Sequence, residues 1–257
     1  MLRGLILDLD GTIYRGQAEV PGAAAFVARA RRQGLRCLFV TNRASRPPSA
    51  VSRHLRALGI PCRDDDVFTS GQATALYLRG GSAFMIGERG LRSALQAQGI
   101  TLTDTSPDAV IVSFDRRFSY AKLRTAAALI RGGSRFIATN ADRSLPTEDG
   151  GLAPGAGSIL AAVAAATDRT PIVIGKPQAL ILKMALKRLG MKPSEVLNIG
   201  DNIETDVLAG VRAGIPTALL LTGITPARAV RRSAVQPDWV ARDYRALTAL
   251  FERLVRA

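Results

Sequence analysis

A chain of 257 residues, 47% of them hydrophobic and 22% charged, has the composition of a globular protein and sits near the size at which one core divides into two. Its apolar runs fall short of the ~18 uninterrupted residues a membrane span needs, and Met1, Leu2 and Arg3 lead straight into a strand, so neither membrane partner nor signal peptide is expected and a cytoplasmic location follows. A net charge of +14 fits solvated helix faces and the attraction of anionic substrates better than nucleic-acid binding, because the arginines are scattered and aromatics make up only 5%.

The first segment is an apolar run, Leu5, Ile6 and Leu7, that stops on Asp8, Leu9 and Asp10 before Gly11 and Thr12. It reads as a buried parallel strand whose carboxyl end carries two acids on one face. Val20, Pro21, Gly22 and Ala23 open a helix through Arg32 with apolar positions at Ala25, Phe26, Val27 and Ala30, closed by Gly34. A second buried strand, 37–40, ends on Thr41, Asn42 and Arg43. Its Cys37, with Cys62 beside Pro61, is too little for a disulfide framework or a zinc centre. The helix that follows Pro47 and Pro48 runs to Leu58 and carries His54, the single histidine, expected at the surface and unattractive as a catalytic group. Strand and helix alternate as in a parallel sheet with right-handed crossovers.

Arg79, Gly80, Gly81 and Ser82 mark a linker. Beyond it come strands at 83–86, 109–113 and 135–138, with helices to Gln98, over 120–130 and ending near Ala166. We expect residues 80–173 to form an inserted α/β domain, leaving 1–79 and 174–257 as the doubly wound core. The core resumes with Ile172, Val173 and Ile174, followed by Lys176 and Pro177. A helix leads on to Leu189, and a strand at 196–199 runs into Gly200, Asp201, Asn202, Ile203, Glu204, Thr205 and Asp206. A helix through Ala213, a strand at 217–221 and a helix from Tyr244 complete the pattern.

Open parallel sheets gather ligands at the carboxyl ends of their strands. Here those ends carry Asp8 and Asp10, Thr41 and Asn42, Lys176, and Asp201 and Asp206. Acids crowded together need a cation, and oxygen ligands without His or Cys favour a hard ion such as Mg2+. A hydroxyl, an amide and a lysine are donors suited to a phosphoryl group. The set describes phosphoryl transfer in which one Asp attacks phosphorus and another serves as general acid and base, and the spacing leaves open which attacks. A phosphomutase, a module without turnover and a nucleic-acid-binding protein are the rival classes.

Asp8 to Thr12, Thr41 with Asn42, Lys176 with Pro177, and Gly200 to Asp206 resemble, in order, the four motifs of the haloacid dehalogenase superfamily of phosphatases. Val20 to Ala23, Ile86 to Glu88, Ile137 to Arg143 and Pro154 to Ser158 are similar to its NagD-like subfamily, in which an α/β cap lies between the second and third motifs. The run from Asp142 to Gly150 is similar to the arabinose-operon sugar phosphatases within that subfamily. The resemblance implies a Rossmann-like core with an inserted cap, Asp8 as nucleophile and Asp10 as general acid and base. It implies that Thr41 and Lys176 hold the phosphoryl group, with Asn42 and Asn202 near the substrate. Asp8, the backbone carbonyl of Asp10, and Asp201 would bind Mg2+, with Asp206 supporting that shell. Arg43 stands where relatives commonly carry Asn, so it either selects a second anionic group or points to solvent. Asp142 and Arg143 are either a surface pair or a contact to substrate. The implied activity is hydrolysis of small phosphorylated metabolites, sugar phosphates first, with glycerol phosphate, nucleoside monophosphates, phosphoglycolate and pyridoxal phosphate as alternatives. A homodimer paired through the cap is implied as well.

Overall fold

The computed structural model describes residues 1–146 and 151–256. The chain divides into two compact units, one of Met1–Thr41, Ser49–Phe68 and Lys176–Ala257 and one of Asn42–Pro48 and Thr69–Gly175.

The first unit is built on a six-stranded sheet in the order Trp239–Ala241, Thr217–Leu220, Val196–Gly200, Gly4–Leu7, Arg36–Thr41, Val67–Thr69. Gly4–Leu7 pairs in parallel with Val196–Gly200 on one side and Arg36–Thr41 on the other, with Leu5 opposite both Leu197 and Cys37. Strand order therefore reverses on either side of this strand, the place where an open α/β sheet leaves a crevice at its carboxyl edge. All four of its residues are buried, which is why the sequence there is continuously apolar rather than alternating. One face packs Leu5, Leu7, Phe39 and Leu197 against helix Ala23–Arg32 and the C-terminal helix Tyr244–Arg256. The first of these buries Ala23, Phe26, Val27 and Ala30, the i, i+3, i+4, i+7 stripe of an amphipathic helix.

The second unit carries a five-stranded sheet in the order Ile172–Val173, Arg135–Ala138, Ala109–Val112, Ser82–Ile86, Thr101–Leu102, parallel throughout. Its core joins Val110 and Val112 to Ile130 of helix Tyr120–Arg131 and to Leu160 and Val163 of helix Ala156–Thr167. Composition places the domain boundaries at 79/80 and 173/174, whereas residues 42–48, 69–79 and 174–175 group with the second unit. Helix Ser70–Leu78 packs on helix Arg89–Ala97, where a Cβ on Gly71 would lie 3.5 Å from Leu91 Cα, and the Gly90 N–H donates to Ser45 O at 3.0 Å.

Two further differences concern local features. The strand bearing the first two acids ends at Leu7, and Leu9 O accepts the N–H groups of Thr12, Ile13 and Tyr14, turning the chain into the hairpin Tyr14–Arg15 with Ala18–Glu19. His54 is half-buried rather than at the surface, set edge-on to Tyr14 with ring centroids 4.7 Å apart. Both cysteines are buried free thiols. No helix among the described residues is long and apolar enough to cross a membrane.

Candidate active site

The carboxyl edge of the first unit's sheet brings together residues that lie far apart in the chain. Asp8 is the first residue beyond Gly4–Leu7, and its N–H still donates to Ile199 O at 2.9 Å, so the sheet ladder fixes the backbone under the side chain. Asp201 follows Val196–Gly200 directly, one strand over. Asp206 is turned back toward the strand it follows by a single π-helical turn, Ile203–Val207, in which the N–H groups of Asp206 and Val207 both reach Asn202 O. The wide turn keeps the Asp206 carboxylate buried beside Gly200, where a Cβ would lie 2.3 Å from Asp206 Cβ. One oxygen from each of Asp8, Asp201 and Asp206 falls within 4.8 Å of the others.

Lys176 supplies the positive charge. Its Nζ lies 2.5 Å from Asp8 Oδ1 and 2.6 Å from Asp206 Oδ1, and it also donates to Val40 O at 3.4 Å. Burial by itself would lower the lysine's pKa, but the Asp206 and Asp8 carboxylates outweigh it and hold the ammonium well above its ordinary value. Asp8 is pushed well above the usual carboxylate range, chiefly by burial, with Lys176 opposing and Asp206 and Asp201 adding to the rise. Asp201 is raised to about 6, again by burial first and Asp206 second. One ammonium among three crowded carboxylates leaves an excess of negative charge in a site that water scarcely reaches.

Asp201 is held by donors that sequence reasoning missed. Thr12 donates its hydroxyl to Asp201 Oδ1 at 3.2 Å, and the Ile224 N–H donates to Oδ2 at 2.8 Å. Two glycines make room for it. A Cβ on Gly223 would lie 1.8 Å from Asp201 Oδ2, and one on Gly11, which has a φ of +82°, would lie 2.5 Å away. The Thr222 hydroxyl donates to Gly11 O at 2.8 Å, closing the loop after Thr217–Leu220 against the first motif. The signal was present, since Thr222 and Gly223 follow a strand end as Gly11 and Thr12 do, without an acid to draw attention.

The remaining candidates fall as follows. Asp10 is half-buried two residues past Asp8, with a backbone bridge to Tyr14, and its carboxylate lies outside the convergent trio. Thr41 is buried at the end of Arg36–Thr41. Asn202 uses its amide oxygen to accept the Glu204 N–H at 2.9 Å, and its own N–H donates to Asp206 Oδ2 at 3.1 Å. Asn42 and Arg43 belong to the second unit. There Asn42 Nδ2 donates to Asp142 Oδ2 at 3.1 Å, and Asn140 Nδ2 donates to the same oxygen at 3.0 Å and to Asn42 O at 2.9 Å. Arg43 is half-buried, and Arg143 is exposed while Asp142 is not, so these two are not an exposed pair. Residues 147–150 of the run from Asp142 to Gly150 lie outside the described residues.

Known proteins resemble this chain over nearly its whole length. A family model for haloacid dehalogenase-like hydrolases matches residues 5–101, and a second, for HAD-hydrolase-like proteins, matches 173–247. The 5'-nucleotidase YutF of Bacillus subtilis is 40% identical over 227 residues, covering 87% of this chain and 88% of the relative. The acid sugar phosphatase of Staphylococcus saprophyticus is 37% identical over 246 residues, 94% and 95% of the two chains. Among solved structures, NagD from E. coli K-12 superposes with a TM-score of 0.90 at 32% identity, covering 95% of this chain and 97% of that one.

Proposed function

Since the chain belongs to the haloacid dehalogenase-like hydrolases, in their NagD-like branch of phosphatases, we propose that it hydrolyses small phosphate monoesters, sugar phosphates first among them, through transient phosphorylation of Asp8 with Mg2+ as cofactor. The observation that carries this reading is the convergence of Asp8, Asp201, Asp206 and Lys176 at the sheet's switch point.

The donor set fits a hard divalent cation. Three buried or half-buried carboxylates with a single ammonium among them are under-compensated, and an oxygen-only set suits Mg2+. We assign Asp8, the backbone carbonyl of Asp10, and Asp201 to hold it, with Asp206 supporting them from its contact with Lys176. Bound there, the ion supplies neutralisation of charge on the nonbridging phosphoryl oxygens.

Asp8 then attacks phosphorus through a carboxylate oxygen, forming an acyl phosphate as the ester P–O bond breaks. Asp10 gives its proton to the departing alkoxide. In the second step Asp10 takes a proton from water, the water oxygen attacks phosphorus, and the acyl phosphate bond breaks to return the Asp8 carboxylate and inorganic phosphate. Lys176, already 2.5 Å from Asp8, orients the nucleophile and holds a phosphoryl oxygen, as does the Thr41 hydroxyl. Asn42, Arg43 and Asn202 are assigned to substrate binding. Substrate choice is assigned to the second unit, as the cap, together with any pairing of protomers.

A second substrate class, nucleoside monophosphates, is favoured by one observation, the 5'-nucleotidase among the relatives. Phosphate release from a panel of sugar phosphates, nucleoside monophosphates, glycerol phosphate and phosphoglycolate, with Mg2+ and with EDTA, tests both. Turnover that is strongest on sugar phosphates and abolished by EDTA is expected. Turnover indifferent to EDTA would remove the cofactor assignment, and a preference for nucleotides would replace the substrate assignment.

A further inference from the structure

The first unit has a groove of about 390 Å3 whose lining includes none of the residues of the carboxylate cluster. Its volume is that of a small-molecule site, roughly 300–1,000 Å3. It lies between helix Ala23–Arg32 and helix Tyr244–Arg256, and its buried floor includes Phe26 and Tyr244, whose rings pack 5.4 Å apart. Three guanidinium groups line it. Arg29 and Arg32 stand one turn apart on the first helix, and Arg245 stands one turn before Thr248 on the other.

The charge in this groove is poorly balanced. Arg29 Nη2 pairs with Glu252 Oε1, while its Nε is buried without a partner. Arg32 and Arg245 are exposed, and among the described residues neither side chain has a hydrogen bond or ion pair. Planar guanidinium forks are suited to an oxyanion, above all a phosphoryl group, and an apolar floor suits a small organic body attached to it. A stripe for nucleic acid would need such groups repeated along a face with stacking aromatics, which three arginines in one groove do not provide.

The floor of the groove also leads to the catalytic carboxylates. Tyr244 donates its hydroxyl to Thr12 O at 2.9 Å, and the Thr12 hydroxyl donates to Asp201 Oδ1 at 3.2 Å. Gly22, with a φ of +92°, lets the groove reach the base of Tyr244, because a Cβ there would lie 3.0 Å from Tyr244 Cβ. We propose that the groove lined by Arg29, Arg32 and Arg245 binds the phosphoryl group of a small anion, and that its occupancy alters turnover through Tyr244, Thr12 and Asp201.

Inorganic phosphate is the first probe and a sugar phosphate that is not turned over the second, so that free phosphate and an esterified one are distinguished. Binding is read from the backbone amides of Gly22 and Thr248 in 1H–15N spectra of the full chain, which does not depend on activity. The coupling is read from p-nitrophenyl phosphate hydrolysis, where phosphate competing at the active site changes KM alone and groove occupancy changes kcat. In the wild type, both amides shift with saturation and kcat changes at least twofold. An Arg32→Ser/Arg245→Ser double variant keeps its basal kcat and the competitive effect on KM but loses the amide shifts and the kcat effect. Tyr244→Phe keeps the amide shifts and loses the kcat effect. Absence of saturable shifts in the wild type, or their persistence in the double variant, overturns the site. A kcat insensitive to phosphate, or still sensitive in Tyr244→Phe, overturns the coupling. Loss of duplex DNA or RNA binding in the double variant, without any effect on phosphate, would identify a nucleic-acid contact instead and overturn the proposal.

Discussion

Replacing Asp201 by Asn is expected to make the ion-free protein more stable while destroying its activity. Asp201 is about 1% exposed, and its pKa in the folded chain rises from 3.8 to about 6 through burial and the neighbouring Asp206. A folded-state pKa raised above the unfolded value means that this group's contribution is fully present below pH 3.8 and is lost as the pH climbs through about 6. The shift corresponds to about 3 kcal/mol by pH 8, an upper figure because the acids of the site titrate together. Asn removes the charge yet retains an oxygen to accept the Ile224 N–H, and the Thr12 hydroxyl can rotate to accept from the new amide. Urea denaturation in EDTA at pH 8 should therefore show Asp201→Asn to be more stable by about 1–3 kcal/mol, with the gain shrinking toward zero as pH falls to 4. Added Mg2+ should raise the stability of the wild type and leave the variant unchanged. A variant less stable than wild type at pH 8, or a difference that does not vary with pH, would refute the reasoning that the site is short of positive charge.

Other outcomes follow from the same geometry. Gly223→Ala places a methyl 1.8 Å from Asp201 Oδ2, and overpacking of this kind costs about 1–3 kcal/mol, so urea melts should show that loss and the Mg2+ concentration for half-maximal activity should rise. Lys176→Met leaves the carboxylates it bridges without their ammonium; removal of one partner from a buried pair costs about 3–5 kcal/mol, seen as a lowered Tm in EDTA, and phosphate release should fall below detection. Burial raises the thiols of Cys37 to about 11 and Cys62 to about 12, so the stability they contribute is intact below their unfolded value near 9 and drains away as the pH rises toward 12, a decline that Cys62→Ala should reduce in alkaline denaturation curves. Asp10→Asn should slow release of poor leaving groups far more than of p-nitrophenolate, measured as kcat on paired substrates.

The parts of this architecture that were legible in the sequence are those where one chemical demand writes several residues at once. Gly4–Leu7 is buried on both faces, so its apolar run and terminal acids stood out, and helix Ala23–Arg32 announced itself through its periodic apolar positions. The short strands did not. Thr101–Leu102 and Trp239–Ala241 contribute two and three residues to sheet edges, too few for any period to register. The site's acids and lysine were visible because buried charge is unusual in a strand-end loop, whereas its backbone donors and glycines were not. Ile224 offers only an N–H, and Gly223 matters for the side chain it lacks. The division into units was obscured because helix Ser70–Leu78 is apolar on nearly every side, and nothing in its composition says which neighbour it joins.

The claim on which the mechanism depends is that Asp8 carries the phosphoryl group during turnover. Rapid acid quench of the enzyme with 32P-labelled substrate and Mg2+ reports the phosphorylated protein, and reduction of a parallel quenched sample with tritiated borohydride, which expels the phosphate and leaves tritium on the carbon, locates the residue by peptide mapping. The account requires 32P on the quenched protein, tritiated homoserine at the position of Asp8 in the reduced sample, and the loss of both labels and of turnover in Asp8→Asn. Steady turnover with no labelled peptide, label at another residue, or phosphate release by Asp8→Asn at the wild-type rate would contradict it.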